Sequence, residues 1–160
     1  MPYSANPNLL TPFTQTLRRS APIGSGVDLL SGRWAARNAA GEAIKPTAGG
    51  FAELVLEGNK KHAEDATFAA TTNEPSETVD LPSAKAANQA ALAYGIFRFE
   101  VDPVGFVEAV ETATLDALLA VDAEGRLVLA TSGDVPLAIV EIATADKLIA
   151  RTLAQGAPLA

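Results

Sequence analysis

Residues 38–57 read NAAGEAIKPTAGGFAELVLE, and residues 122–141 return to the same pattern as DAEGRLVLATSGDVPLAIVE. The two segments align without gaps, residue 122 standing where residue 38 stood, an offset of 84. Identical residues recur at matching turn and strand-end positions, and the apolar positions also correspond. The matching positions include Gly41 with Gly125, Thr47 with Thr131, Gly49 with Gly133, and Glu57 with Glu141. The chain therefore contains an internal repeat.

Each copy of the repeat predicts three short strands joined by two tight turns. Asn38–Gly41 and Asp122–Gly125 have Asn or Asp at the first position and Gly at the last, as in a type I turn. Short strands separated by such turns are typical of a β-sandwich or β-barrel. We therefore expect a mainly β fold, a small β-barrel-like domain whose repeat copies cover about 27–57 and 112–153.

The segment between the copies predicts one strand, one short helix and a further strand. Residues 58–82 are polar and indicate a loop with one strand over 66–71. Ser83–Tyr94 predicts the chain's one short helix, because Ser83 can cap it and Gly95 can end it. Phe97, Phe99 and Val101 alternate with polar residues and predict a strand. Residues 147–153 fit either a helix or a strand.

Residues 1–26 differ from the rest of the chain and predict an extended N-terminal arm, followed by a single domain over 27–160. Four prolines interrupt any long helix in this range. A disordered tail is the alternative, but such tails are usually poor in large apolar residues. We expect an arm that becomes ordered against a partner. Its candidate contact residues are Tyr3, Leu9, Leu10, Phe13, Leu17, Arg18 and Arg19.

Composition argues against several classes of function. The formal net charge is −7, which disfavours nucleic-acid binding because such binding depends on neutralising phosphates. The chain has no cysteine, so disulfides and thiolate metal sites are excluded. No stretch approaches the roughly 20 apolar residues of a membrane helix. The first residues also lack the pattern of a signal peptide, and we expect synthesis in the cytoplasm.

The sequence offers no catalytic, cofactor-binding or metal-ligating set. His62 is the single histidine, lies in a polar run, and is interpreted as an exposed loop residue. Gly24-Ser25-Gly26 lacks the full nucleophile-elbow pattern. Carboxylates are plentiful, but sugar-cleaving sites usually add aromatic platforms, and this chain has one Trp and two Tyr. Trp34 is interpreted as a core or interface residue. We expect a protein that is not an enzyme and uses no cofactor.

Residues 115–141, LDALLAVDAEGRLVLATSGDVPLAIVE, resemble the small decoration (cement) proteins of tailed-bacteriophage capsids. Those proteins have a strand, a D-x-x-G turn, a strand ending in A-T-x-G, and two further strands. The match is closest over about 112–153, and a weaker copy covers about 27–57. Ala138 departs from the pattern, since family members often have Gly there.

The resemblance implies a β-barrel or β-tulip-like knob on the outer capsid surface, commonly a homotrimer, with the major capsid protein as partner. It implies a structural virion protein without catalytic residues, membrane or nucleic acid. In that hypothesis the arm residues fill capsid pockets, and Arg18 and Arg19 reach acidic capsid residues. Two alternatives stay open. One is another virion component, such as a head-fibre base or tail protein; the other is a carbohydrate-binding or enzymatic β-domain.

Overall fold

The computed structural model describes residues 7–11, 16–62, 78–80 and 89–160. These residues form thirteen β-strands and two single 3₁₀ turns, Pro103–Gly105 and Glu108–Val110. The strands are β1 (Asn8–Leu9), β2 (Leu17–Pro22), β3 (Trp34–Arg37), β4 (Ala43–Ile44), β5 (Glu53–Glu57), β6 (Lys60–His62), β7 (Thr78–Asp80), β8 (Gln89–Tyr94), β9 (Arg98–Val101), β10 (Leu118–Val121), β11 (Leu127–Leu129), β12 (Ala138–Ala143) and β13 (Leu148–Thr152).

The strands form two main antiparallel sheets, which confirms the mainly β prediction. The first sheet has the order β2-β8-β5-β3-β4, and the second has the order β1-β9-β13-β12-β10-β11. Strands β6 and β7 form a separate two-stranded sheet. Ladders between the described strands do not close either main sheet into a barrel. Single parallel bridges outside the strands join Ile23, which follows β2, to Ala43 in β4, and Phe106, which follows β9, to Leu127 in β11.

The two main sheets are built from the same five-strand unit. The first unit comprises β2, β3, β4, β5 and β8, and the second comprises β9, β10, β11, β12 and β13. Numbered within its own unit, each set has the spatial order first-fifth-fourth-second-third. Strand β1 is added at the edge of the second unit, and the β6–β7 pair is inserted in the first. The structural duplication thus extends beyond the two aligned segments.

The first turn of each unit has the same hydrogen bonds. Oδ1 of Asn38 accepts from the N–H groups of Ala40 at 3.0 Å and Glu42 at 2.9 Å. Oδ1 of Asp122 accepts from the N–H groups of Glu124 at 2.9 Å and Arg126 at 2.8 Å. The turn glycines also share a positive φ of 81°. Because an Asx side chain accepts hydrogen bonds from the backbone of its own turn, the local sequence pattern predicts this turn.

Corresponding faces of the two five-strand units point in the same direction when the sheets pack. In the first unit Arg37 pairs with Ala43, and in the second Val121 pairs with Leu127 at the matching register. Val121 and Leu127 lie in the main core, between the sheets, whereas Ala43 lies in a smaller cluster on the opposite side of the first sheet. The inner face of the second sheet therefore corresponds to the outer face of the first.

The main core joins the two sheets through aromatic and aliphatic side chains. Trp34 and Phe99 meet edge to face, with ring centroids 5.7 Å apart. Leu54 and Ala93 extend this surface from the first sheet. The interpretation of Trp34 as a packing residue is confirmed, since its side chain is buried in this core. Edge-to-face aromatic pairs stabilise a core beyond the area they bury.

The helix predicted over Ser83–Tyr94 is wrong for its described part, because Gln89–Tyr94 forms β8. This strand lies between β2 and β5, and its two faces contribute to different cores. Leu92 lies in the smaller cluster and Ala93 in the main core. A strand buried on both faces has a continuous apolar run, which cannot be told from a buried helix by periodicity.

Two other segments also differ from, or complete, the sequence expectations. Residues 60–62 and 78–80 are paired strands, so His62 lies in a strand and not in a loop. The strand predicted over 66–71 lies outside the described residues. The ambiguous segment at 147–153 forms strand β13, which pairs with both β12 and β9.

The predicted arm is held by the chain itself wherever the structure describes it. Leu17–Pro22 pairs with β8 over six residues, and Asn8–Leu9 pairs with β9. These segments therefore pair with strands of the chain itself, while the expectation of a contact with a partner stays a prediction. The proline at the end of β2 is compatible with this pairing, because β2 lies at a sheet edge, where a terminal proline costs no ladder hydrogen bond. The domain boundary at residue 26 stays a prediction.

The two turn glycines provide a matched pair for a stability measurement. Both have φ of 81°, but a Cβ at Gly41 meets nothing within 4 Å, whereas one at Gly125 runs into the carbonyl oxygen of Trp34. Gly125 O also accepts a 2.7 Å hydrogen bond from Trp34 N, so this turn packs directly on the first unit. We expect Gly41→Ala to lower the unfolding free energy by about 1–2 kcal/mol, the cost of a left-handed residue. Gly125→Ala should cost clearly more in urea denaturation; equal losses would refute the close packing.

Candidate functional site

An open groove lies on the outer face of the first sheet, near the Tyr94 end of β8. Its volume is about 320 Å³. Ala35, Ala36 and Ala52 are the small residues that line it. Its polar and aromatic lining consists of Arg19, Arg37, Phe51, Glu53, Tyr94 and Gln155. The groove is therefore assembled from β2, β3, β5, β8 and the C-terminal segment.

A single carboxylate sits between two guanidinium groups in this groove. Glu53 Oε1 lies 3.2 Å from Arg19 Nη2, and Glu53 Oε2 lies 3.7 Å from Arg37 Nε. The glutamate side chain is 15% exposed, while both arginines are more accessible. Two cations share one anion, so the cluster carries one excess positive charge on a protein of net charge −7. This excess positive charge favours the binding of anionic groups in the groove.

The Arg19 guanidinium is held in place by a second contact. Its Cζ atom lies 3.6 Å from the centroid of the Tyr94 ring, a cation–π arrangement. Its buried Nε has no hydrogen-bond partner in the described part of the chain. The planar group is therefore oriented by an aromatic face and a carboxylate. Such a preoriented guanidinium can bind a second carboxylate at low entropic cost.

Apolar side chains lie exposed at the margin of the groove. Phe51 is 58% exposed and lines it directly. Leu17 is 55% exposed and is the cross-strand partner of Tyr94. Gln155 completes this end: its amide accepts from Ala52 N and donates to Ala52 O. Charged and apolar groups together make a surface that can bind an amphipathic partner.

The structure distributes the seven predicted contact residues differently. Arg19 lines the groove, Leu17 lies exposed beside it, and Arg18 is exposed on the same strand. Leu9 packs against the main core, and Leu10 is half-buried beside β9. The remaining two, Tyr3 and Phe13, lie outside the described residues. The contact role of all seven stays a prediction.

Sequence reasoning missed the other groove residues, although the repeat contained a signal for them. At the 84-residue offset, Arg37 aligns with Val121 and Glu53 aligns with Leu137. Val121 and Leu137 are core residues. A charged residue at a position where the other copy has a core residue indicates that the first sheet does not bury this face in the main core. Tyr94 lay in the segment interpreted as a helix, so its place beside Arg19 could not be anticipated.

Charged pairs elsewhere have structural roles. Lys45 Nζ lies 2.7 Å from Glu124 Oε2 and connects the two units, and this hydrogen bond with Lys45 holds the pKa of Glu124 below its ordinary value. Burial lowers the pKa of Arg33, whose Nε donates to Val104 O. The outer face of the second sheet carries the pairs Arg98–Glu141 and Lys147–Glu100. These pairs satisfy charges on a solvent-facing layer.

No family model, curated protein or solved structure matches this chain. Within the described ranges, no group of three or more His, Cys, Asp or Glu residues is arranged to hold a metal ion. The described part of the chain also has no helix that is both long and apolar enough to span a membrane. The site is therefore interpreted from its own geometry.

The buried carboxylate of Glu53 should stabilise the groove. Glu53→Gln leaves Arg19 and Arg37 without their shared anion, so we expect a loss of about 1–3 kcal/mol in unfolding free energy. The measurement is urea denaturation at neutral pH. Glu108→Gln is the control, because Glu108 is exposed and does not line this groove, and it should change stability by less than about 0.5 kcal/mol. Equal effects would contradict the assigned ion pairing.

The Lys45–Glu124 pair predicts a defined pH response. Since the folded pKa of Glu124 lies below 4.5, the pair's contribution to stability is present above that value and is lost as pH falls through the lower folded pKa. Lys45→Met should raise the Glu124 pKa toward its ordinary value in an NMR titration. Lys147→Met, which removes a cation paired with Glu100, should leave the Glu124 titration unchanged. An unaltered titration in Lys45→Met would disprove the pairing.

Proposed function

We propose that this protein is a structural component of a tailed-bacteriophage virion, a decoration (cement) protein bound to the outer capsid surface. In this role it clamps neighbouring subunits of the major capsid protein and stabilises the head. The proposal starts from the resemblance of residues 112–153 to that family. The structural observation that carries it is the open face of the first sheet, where Arg19, Arg37 and Tyr94 gather beside exposed Leu17 and Phe51.

The composition of this face supports a protein-binding role. Tyrosine and arginine are enriched among the residues that dominate protein interfaces. Here they are oriented in advance by their mutual contact, which reduces the free energy lost on ordering them. Exposed Phe51 and Leu17 supply apolar area whose burial favours association. A rigid sheet presents these groups together.

The homotrimer and the barrel-like or β-tulip-like knob implied by the resemblance remain parts of the proposal. Three protomers would present three copies of the binding face, and residues 1–16 could add contacts to each. Linked contacts raise the effective concentration of every later contact, so weak individual sites can hold firmly. Such a trimer would oppose separation of the capsid subunits beneath it. The two packed sheets are compatible with a compact knob above the capsid surface.

Sedimentation of particles from the source tests this function directly. Gradient fractions are probed for the chain, and its copies are counted against the major capsid protein. Co-sedimentation in numbers comparable to that protein supports decoration. A few copies per particle would identify a tail or head-fibre component instead. Absence from particles would overturn the virion assignment.

Point substitutions test the proposed face better than truncation does. Removing residues 1–20 would delete four of the six residues of β2, and thus disturb the first sheet. We expect Leu17→Asp combined with Phe51→Asp to weaken particle binding by tenfold or more, since it places two charges in the contact, while thermal unfolding stays nearly unchanged. Leu115→Asp is the matched control: Leu115 is 68% exposed but outside this face. Equal loss of binding in the control would refute the location.

A further inference from the structure

Cross-strand partners allow the groove to be compared residue by residue with the second unit. Arg19 pairs with Leu92, which lies on the fifth strand of the first unit. Phe99 pairs with Ala150, which lies on the fifth strand of the second unit, and this makes Phe99 the counterpart of Arg19. The β3–β4 hairpin matches the β10–β11 hairpin, which makes Val121 the counterpart of Arg37. The same match makes Leu119 the counterpart of Ala35. The groove and its counterpart thus occupy the same face of the same fold.

In the second unit this face is fully occupied by protein. Phe99, Leu119 and Val121 are buried in the main core. Phe99 contacts Trp34 of the first sheet, so the second unit uses this face to dock on a neighbouring layer. The equivalent backbone in the second unit therefore packs against another sheet of the same chain.

The first unit keeps the docking geometry but changes its chemistry. Where the second unit has Leu119, the first has the smaller Ala35, which lines the groove. Where it has Phe99 and Val121, Arg19 and Arg37 place two guanidinium groups around one carboxylate. A partner that offers only apolar area would bury the excess positive charge of the groove without a balancing anion, which is costly. A partner that brings one more carboxylate would balance it.

We propose that this groove is a docking site for a segment of a partner protein that carries a carboxylate side chain flanked by apolar side chains. The partner's carboxylate pairs with Arg19 and Arg37 beside Glu53, and its apolar neighbours cover Phe51 and Leu17. The inference rests on the proposed function only for identifying the partner as a capsid subunit. The chemistry of recognition follows from the groove itself.

An acidic sugar fits the groove less well than a peptide does. Sugars bind proteins largely by stacking on open aromatic faces, and the ring of Tyr94 is already covered by Arg19 on one face. Leu17 and Phe51 present aliphatic and aromatic area on either side, which apolar side chains would bury more completely. The equivalent face of the second unit is covered by side chains of the first sheet, so this face is suited to packing against protein.

The test uses the full chain in solution and two capped peptides, acetyl-Ser-Leu-Glu-Leu-Ser-amide and its Gln analogue. Binding is followed through the arginine Nε–Hε signals in NMR spectra. We expect the Glu peptide to shift the Arg19 and Arg37 signals and to bind about tenfold more tightly than the Gln peptide, as a charge-assisted hydrogen bond predicts. Arg37→Gln should remove this preference. Arg151→Gln, which changes an exposed arginine outside the groove, should retain it.

Equal binding of the two peptides, or no shift at millimolar peptide, would overturn the docking proposal. Glucuronate that binds as tightly as the Glu peptide would also overturn it and would identify an acidic-sugar site. Phe51→Ser provides a second variant that leaves the charges intact and should weaken both peptides. Particle sedimentation is scored separately. Peptide binding without particle binding would defeat the virion proposal alone, and particle binding without peptide preference would defeat the groove proposal alone.

Discussion

The apolar contact between the two sheets, centred on Trp34 and Phe99, is the interaction on which the rest of the structure depends. It buries one face of each five-strand unit and brings the second unit's first turn against β3, where Gly125 approaches the Trp34 backbone. Without this contact each unit would expose the apolar side chains that it contributes to the main core. The contact also defines which face of the first sheet remains outside, and hence where the groove lies.

Because equivalent faces point the same way, the two units resemble stacked layers and not mirror-related halves. Stacks of this kind have two unlike ends, and each end must be made compatible with water. The end formed by the second sheet carries the pairs Arg98–Glu141 and Lys147–Glu100. The end formed by the first sheet is partly covered by its smaller core, around Ile23 and Leu29, and otherwise opens into the groove.

The sequence predicted the strand-rich class, the two turns and the strand containing Phe99, because each depends on residues close together in the chain. It did not predict β8. Gln89–Tyr94 contains small and apolar residues on both faces, and only its position between β2 and β5 explains that composition. It also suggested an arm for Leu17–Pro22, since isolated apolar residues among prolines are compatible with a segment that becomes ordered on binding a partner. The partner of that segment proved to be the chain's own β8.

The sequence by itself determined the local geometry of the turns, since Asn38 and Asp122 accept hydrogen bonds from residues two and four positions away. Only the tertiary structure decided the groove, because Arg19, Arg37, Glu53 and Tyr94 meet through pairing between strands distant in sequence. Local hydrogen bonds are set by neighbouring residues whatever the rest of the chain does. Long-range strand order depends on which apolar faces can be buried together, and no short window of sequence contains that information.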